Sequence, residues 1–244
     1  MSLPNSPPLV SEQVFTTLLE ALLSGRYVPG EKLPRQRELA ADLNVTLSSL
    51  REALKRLEQM GLVEVRHGDA TRVRDWRRSG GLDVLAHLLF RGGIVDASVL
   101  EDILEARALM LRELAGLAAT RRGDRDAEQL HALAREFATH PEDPAAAAHV
   151  DFAFFTAVTA AAGNLVFVLI LNAIRDLYLG HVALVPVTAQ PAVLAPRYAD
   201  LATAIDGRDE AAARAVAYDL ACRQRDLVRA ALARLLGGRA GGPR

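Results

Sequence analysis

Residues 25–62 read GRYVPGEKLPRQRELAADLNVTLSSLREALKRLEQMGL, and this stretch decides the fold of the first third of the chain. Gly25-Arg26-Tyr27-Val28-Pro29-Gly30 is turn chemistry, followed by Leu33-Pro34. Arg35–Leu43 reads as a short helix with Leu39, Ala40 and Leu43 inward. Asn44-Val45 turns the chain, and Thr46 can cap the next helix through its hydroxyl. Leu50, Leu54 and Leu57 then line one face, with Met60 just beyond. The opposite face carries Ser48, Ser49, Arg51, Glu52, Lys55 and Gln59, and Gly61 stops the helix.

Upstream, Val14, Leu18, Leu19 and Leu22 form one apolar stripe, which predicts a helix over 11–24. Downstream, Leu62-Val63-Glu64-Val65 and Thr71-Arg72-Val73-Arg74 alternate around a Gly-containing turn, a hairpin signature. Helix, short helix, tight turn, helix, hairpin is the order of a winged helix-turn-helix, expected over 11–75. A helix whose first turn presents small hydroxyls can approach the DNA major groove closely. Arg35, Arg37 and Arg51 can reach phosphates or guanine edges, and helix N-termini favour phosphate. His67 and Gly68, at the wing tip, could enter the minor groove. Taken singly, Arg51, Lys55 and Arg56 also read as ordinary solvated residues; the order of elements is what favours DNA.

The whole chain of 244 residues carries a formal net charge of −1 and is 50% hydrophobic, as in an average soluble protein. That charge hides a division. Residues 1–78 hold 12 Lys+Arg against 10 Asp+Glu, whereas residues 79–244 hold 17 against 20. The lone Cys222 cannot form an internal disulfide, which fits a reducing, cytoplasmic compartment. Residues 1–10 hold three prolines and no basic residue, so they read as a disordered segment and not as a signal peptide.

After a linker at 76–81, with Ser79-Gly80-Gly81 as hinge, the chain becomes rich in Ala, Leu and Arg, a helix-favouring composition. Breakers delimit seven helices: Leu82–Phe90, Ala97–Arg122, Asp126–Thr139, Pro144–Ala162, Asn164–Leu184, Ala192–Ile205 and Asp209–Leu236. The expectation is a mainly α protein whose residues 82–236 form an all-helical bundle, followed by a disordered tail over 237–244. Phe152–Ile174 is uncharged over 23 residues, but Gly163-Asn164 divides it, so two helices of a bundle are expected there and not a membrane span.

The motif Gly25-x-Tyr27-x-Pro29-Gly30-x-x-Leu33-Pro34, Arg37-Glu38-Leu39-Ala40, Val45-Thr46, Leu50-Arg51-Glu52-Ala53-Leu54-x-x-Leu57 and Gly61-Leu62 resembles the DNA-binding domain of GntR-family bacterial repressors. The resemblance implies that Arg35, Arg37, Thr46, Ser48, Ser49, Arg51, His67 and Gly68 contact operator DNA in a homodimer. Leu47 departs from the pattern, since many members place a base-reading arginine there. The helical half resembles the FCD-type effector domain of the FadR subfamily. The stretches that carry this are His67-Gly68-x-x-Thr71-x-Val73, Trp76-x-x-Ser79-Gly80-Gly81-Leu82-x-x-Leu85, Asp151-x-x-Phe154-Phe155, Ala162-Gly163-Asn164 and Leu169-Ile170-Leu171-Asn172. They look most like the fatty-acid-responsive FadR regulators.

Many FCD members bind a divalent metal through an aspartate and three histidines. Asp151 matches the aspartate, but Phe155 stands one turn later, and the remaining positions fall on Tyr198 and near Leu220. No metal and no cofactor is therefore expected, and Asp151 reads as a hydrogen-bonded packing residue. An apolar lining of Phe152, Phe155, Val158, Phe167, Ile170, Leu171, Ile174 and Tyr178 suits an acyl chain, although most of these also read as bundle core. The resemblance implies a long-chain acyl-CoA effector touching Arg107, Phe155 and Tyr178. Arg107 reads equally well as a salt-bridge partner of Glu101, Asp102 or Glu105. A sensor of a small carboxylate, with or without metal, is the alternative. An enzyme is not expected: Cys222 has Arg223 and Arg225 nearby, but no nucleophile or acid–base motif accompanies it.

Overall fold

The computed structural model describes residues 10–66, 70–91, 94–140, 143–180 and 190–239, without the side chains of Arg91, Pro144, 176–180 and 235–239. The chain divides into two compact units, Met1–Asp96 and Ala97–Arg244.

In the first unit, α1 (Val10–Leu23), α2 (Gln36–Asp42) and α3 (Leu47–Gln59) precede the antiparallel pair β1 (Val63–Glu64) and β2 (Arg72–Val73). Val14, Phe15, Leu18 and Leu22 of α1 are buried together with Leu50, Leu54 and Leu57 of α3. Each such side chain contributes on the order of 1.5–3 kcal/mol of burial energy. Thr46 has extended backbone and its Oγ1 accepts from the Ser49 amide at 3.2 Å, the cap its sequence position suggests. Segment 30–33, which begins at the last residue of the turn expected over 25–30, joins the wing: the Gly30 and Leu33 amides donate to Val73 and Thr71, and the Val73 amide to Glu31. Edge pairing of this kind depends on a distant strand and leaves no local pattern.

The stretch expected to be a linker, 76–81, contains α4 (Trp76–Ser79). It is held against the end of α3, because Ser79 Oγ donates 2.8 Å to the Gly61 carbonyl and 2.8 Å to that of Asp75. Gly61 has φ +73°, and a Cβ there would stand 2.1 Å from the Ser79 carbonyl oxygen. The first unit then runs on through α5 (Val84–Leu89) and the pair β3 (Phe90–Arg91) and β4 (Ile94–Val95), beyond the boundary read from composition.

The second unit contains α6 (Ala97–Arg121), α7 (Asp124–Ala138), α8 (Pro144–Ala161), α9 (Leu165–Gly180), α10 (Pro191–Asp206) and α11 (Glu210–Arg239). Helix α6 packs along α11, and α7 along α10 and α8. The alanines expected to favour helix also set the packing distance: Ala115, Ala118, Ala119, Ala213 and Ala217 are all buried in one core. Gly163 adopts φ +61°, and Asn164 Oδ1 caps α9 by accepting from the Val166 amide at 3.0 Å. The apolar stretch is thus broken as expected, and no helix among the described residues is long and apolar enough to cross a membrane.

Arginines tie the helix ends together. Arg121 donates to the Ala162 carbonyl, Arg122 to that of Asp206, and Arg208 to those of Thr120 and Arg122. Orphan carbonyls at three helix C-termini gain charged donors this way. Arg229 of α11 grips Glu101 of α6 through Nε and Nη2 at 2.6 and 2.5 Å, holding that carboxyl below the usual carboxylate range. The contribution of this exposed pair is present above the ordinary carboxylate pKa and is lost as pH falls through the lowered one.

Two glycines separate backbone strain from collision. Gly25 has φ +79° and open space around it. Gly25→Ala is expected to cost about 1–3 kcal/mol of strain alone. Gly61→Ala adds a collision with backbone, so its thermal unfolding midpoint, followed by circular dichroism, should fall well below that of Gly25→Ala.

Candidate functional site

One end of the first unit gathers the residues that sequence reasoning singled out for DNA. Arg35 directly precedes α2, Arg37 lies in its first turn, and both side chains are exposed. Thr46, Ser48, Ser49 and Arg51 occupy the cap and first turns of α3; Thr46, Ser48 and Arg51 are exposed and Ser49 is half-buried. Arg51 Nε donates 3.2 Å to Gln36 Oε1, which links the N-terminal turns of α2 and α3. Gln36 was not singled out from the sequence, since the bond spans 15 positions. Thr46 Oγ1 and Ser49 Oγ also lie 3.0 Å apart, so part of their hydrogen-bonding capacity serves the cap. His67 and Gly68 lie outside the described residues. Arg56 is a packing residue: its guanidinium lies 3.8 Å from the Phe15 ring centroid and 2.5 Å from Glu12.

The arrangement has the form of an anion-binding surface. Two helix N-termini lie side by side with three exposed guanidiniums among them. Helix dipoles and cations there act with the same sign on a phosphate backbone.

The second unit holds a buried polar cluster at its centre. Asp151 of α8 is 0% exposed. Its Oδ1 accepts from the Tyr198 hydroxyl of α10 and, at 3.0 Å, from Gln224 Nε2 of α11. Gln224 Nε2 also stands 3.1 Å from the Tyr198 oxygen. Arg107 of α6 donates from Nη1 to Gln224 Oε1 at 2.5 Å and brings Nη2 to 3.5 Å from Asp151 Oδ2. That Nη2 is buried without a hydrogen-bond partner, although the Arg107 side chain as a whole keeps 19% exposure. The Arg107 guanidinium also lies 4.8 Å from the Phe155 ring centroid. Phe137 stacks on Tyr198 at 4.0 Å, and Phe154 meets it edge-on at 5.0 Å.

Asp151 is therefore a hydrogen-bonded packing residue, as expected. The local salt bridges considered for Arg107 are not formed: it pairs across the bundle with Asp151 and Gln224, while Glu101 is taken by Arg229. Phe155 lies beside Arg107, but Phe155 and Val158 are core residues and not an open lining. Phe152 is half-buried with Arg175 over its ring at 5.9 Å. Tyr178 lies on α9 with its side chain outside the described residues. Gln224 is the residue that reasoning from sequence missed, sitting one turn beyond Leu220.

A metal of the kind many FCD domains hold does not fit these residues. Asp151 supplies one carboxylate, but Phe155 has no donor atom and the Tyr198 hydroxyl already donates to that carboxylate. Among the described residues no three His, Cys, Asp or Glu side chains converge as ligands.

Residues 10–73 match the model of bacterial regulatory proteins of the gntR family, and residues 102–221 match that of the FCD domain. The HTH-type transcriptional regulator Mce2R of Mycobacterium tuberculosis (strain CDC 1551 / Oshkosh) is 43% identical over 212 residues, covering 86% of this chain and 88% of its own. The chain belongs to the GntR family. It is a DNA-binding transcriptional regulator whose FCD domain is the effector-binding unit. The fatty acid metabolism regulator protein of Escherichia coli O9:H4 (strain HS) is 30% identical over 161 residues, 66% of either chain. Among solved structures, Lar, which controls expression of the Listeria monocytogenes agr system, shares the fold with a TM-score of 0.58 and 18% identity, over 92% of this chain and 99% of its own.

The cluster makes a stability test available. In Tyr198→Phe, Asp151 loses its hydroxyl donor and no volume is added. A loss of about 1–3 kcal/mol is expected, as for a buried acceptor to a charged group left short of a partner. Urea unfolding of the purified protein measures it, and Asp151→Ala, which leaves Arg107 without its counter-charge, should cost more.

Proposed function

We propose that the chain is a homodimeric regulator that reads operator DNA with Arg35, Arg37, Thr46, Ser48, Ser49, Arg51, His67 and Gly68, and releases it on binding an anionic acyl effector, a long-chain acyl-CoA. The observation that carries the DNA half is the junction of α2 and α3, where Arg51 is held by Gln36 between two helix N-termini. A tethered arginine loses less freedom on meeting a guanine or a phosphate than a free one. Two copies are needed because a dyad operator presents two half-sites.

Leu47, the first residue of α3, is half-buried there. An apolar side chain at that point favours a thymine methyl over the acceptor edge of guanine. Leu47→Arg should therefore shift the sequences selected from a random pool toward guanine at one position of each half-site. In fluorescence anisotropy on the selected operator, Arg51→Ala should weaken binding by about ten- to a hundred-fold. If Arg51→Ala binds as wild type does, the assigned interface is wrong.

The effector half rests on Arg107, whose buried Nη2 lacks a hydrogen-bond acceptor. An anionic head group supplies that acceptor. The half-buried side chains of Phe167, Ile170, Leu171 and Ile174 on α9 offer an apolar path for a chain beside α8. The relative named as a fatty acid metabolism regulator supports an acyl ligand. Differential scanning fluorimetry with oleoyl-CoA, oleate and small organic acids tests this: oleoyl-CoA should raise the unfolding midpoint and release the operator. Stabilisation by a small dicarboxylate alone would replace the acyl reading with a small-carboxylate sensor.

A further inference from the structure

The root of the wing holds a cavity that the assigned DNA contacts do not use. It measures about 220 Å³ and lies wholly within the first unit. Leu22, Leu62 and Val73 form its floor and are all buried. Tyr27 and Trp76, both half-buried, line its sides, and the exposed Arg74 and Arg77 stand at its mouth. Backbone hydrogen bonds fix this frame. The Tyr27 amide donates to the Ala21 carbonyl at 3.4 Å, the Gly30 amide to that of Val73 at 2.8 Å, and the Arg74 amide to that of Leu62 at 2.9 Å. The charge at the mouth is not balanced by a neighbour. Positions 74–78 read Arg-Asp-Trp-Arg-Arg, and among the described residues neither Arg74 nor Arg77 is paired with a carboxylate. The one acid of that stretch, Asp75, accepts from the Arg77 amide at 3.1 Å as the cap of α4. The Arg77 guanidinium lies 4.2 Å from the Trp76 ring centroid, which holds it in place.

We propose that this cavity is a binding site for a small aromatic carboxylate, its ring set beside Tyr27 and Trp76 over the apolar floor and its carboxylate on Arg74 and Arg77. Each part of the ligand follows from a part of the site. Two aromatic walls over aliphatic side chains favour a ring, which they meet stacked or edge-on. Two guanidiniums without a carboxylate favour an anion, and their fork geometry suits a carboxylate. The size limits the choice further. Drug-sized ligands fill about 300–1,000 Å³, so this cavity admits a single ring with its acid group and excludes an acyl-CoA. A phosphate of the operator is not the occupant. Leu62 follows the C-terminal end of α3, whereas Thr46, Ser48, Ser49 and Arg51 stand at the other end of that 13-residue helix, about 20 Å away. Occupancy ties the end of α1 and the wing to α4. The ligand therefore acts on the DNA-reading unit itself, at a site distinct from the cluster around Arg107.

Trp76 is the one tryptophan of the chain, so its fluorescence reports on this cavity. Titration of the full chain with benzoate should give a saturable change, with a dissociation constant of about 1 mM or below. Benzamide, which lacks the charge, and cyclohexanecarboxylate, which lacks the aromatic face, should each bind about tenfold more weakly or worse. The double variant Arg74→Gln, Arg77→Gln should also bind benzoate about tenfold more weakly or worse, while its helical circular dichroism and its operator affinity without benzoate stay as in wild type. Because Arg77 touches the indole, dissociation constants and not amplitudes are compared. Arg74→Gln alone, which leaves that contact in place, should weaken benzoate in the same direction. The absence of a saturable change at millimolar benzoate, equal binding of benzamide, or unchanged binding in the double variant overturns the proposal.

Discussion

The second unit depends on one buried negative charge. Asp151 is shut off from water at the meeting point of four helices, and an isolated carboxylate there would cost far more than a domain's net stability. Each of the other three helices supplies part of the remedy: Arg107 from α6, Tyr198 from α10 and Gln224 from α11. These donors are not interchangeable. Tyr198 and Gln224 provide directional bonds to one oxygen, and Arg107 provides the opposite charge near the other. A bundle of alanine-rich helices can slide in many registers, because small side chains interlock weakly. A buried group that needs three particular partners admits one register, which gives the cluster a specifying role beyond its net energy.

The first unit is organised around ends of helices instead. Thr46 caps α3, Arg51 bonds across to α2, and Gly61 leaves α3 by a conformation that places the Ser79 carbonyl where any Cβ would stand. One end of α3 is therefore fixed by side-chain hydrogen bonds and the other by backbone geometry, beside the burial of Leu50, Leu54 and Leu57 along its length. The same economy explains the modest charge of this half. Arg56 is spent on Phe15 and Glu12, whereas Arg35, Arg37 and Arg51 remain at the exposed helix starts. A net excess of two positive charges over residues 1–78 is enough when the cations stand beside two helix N-termini.

What could be read from the sequence was what is local. The Thr46 cap, the stop at Gly61, the pairing of 63–64 with 72–73 and the break at Gly163-Asn164 each depend on residues close to one another along the chain. The wing's third segment could not be read so, because residues 30–33 pair with a strand some 40 positions on. Nor could the hydrogen bonds of the polar cluster. Gln224 lies 117 positions from Arg107 and 73 from Asp151, and on its own helix it looks like any polar residue. The linker misled for the opposite reason. Ser79-Gly80-Gly81 has hinge composition, but Gly80 is packed, since a Cβ there would stand 2.7 Å from the Trp76 carbonyl oxygen, and the missing side chain of Gly61 makes room for the Ser79 carbonyl.

Among the described residues no cluster of histidine or other ligands forms a metal site around Asp151, and this changes what an effector must do. A carboxylate bound to a divalent metal sits in a site of net positive charge, which can take a second small anion without giving anything up. Here the carboxylate is balanced by one guanidinium and by neutral donors, so the cluster is close to neutral as a whole. In the proposed reading, an anion bonded to Nη2 of Arg107 competes with Asp151 for that nitrogen and draws the guanidinium away from Gln224. Its binding energy is then divided between the new contact and the loosening of bonds that tie α6 to α8 and α11. That competition is the differential interaction a ligand needs in order to shift a conformational equilibrium. A head group too weakly charged to draw Arg107 from Asp151 would bind, if at all, without moving those helices. In that same proposed reading, the acyl chain adds apolar burial that offsets the broken bonds.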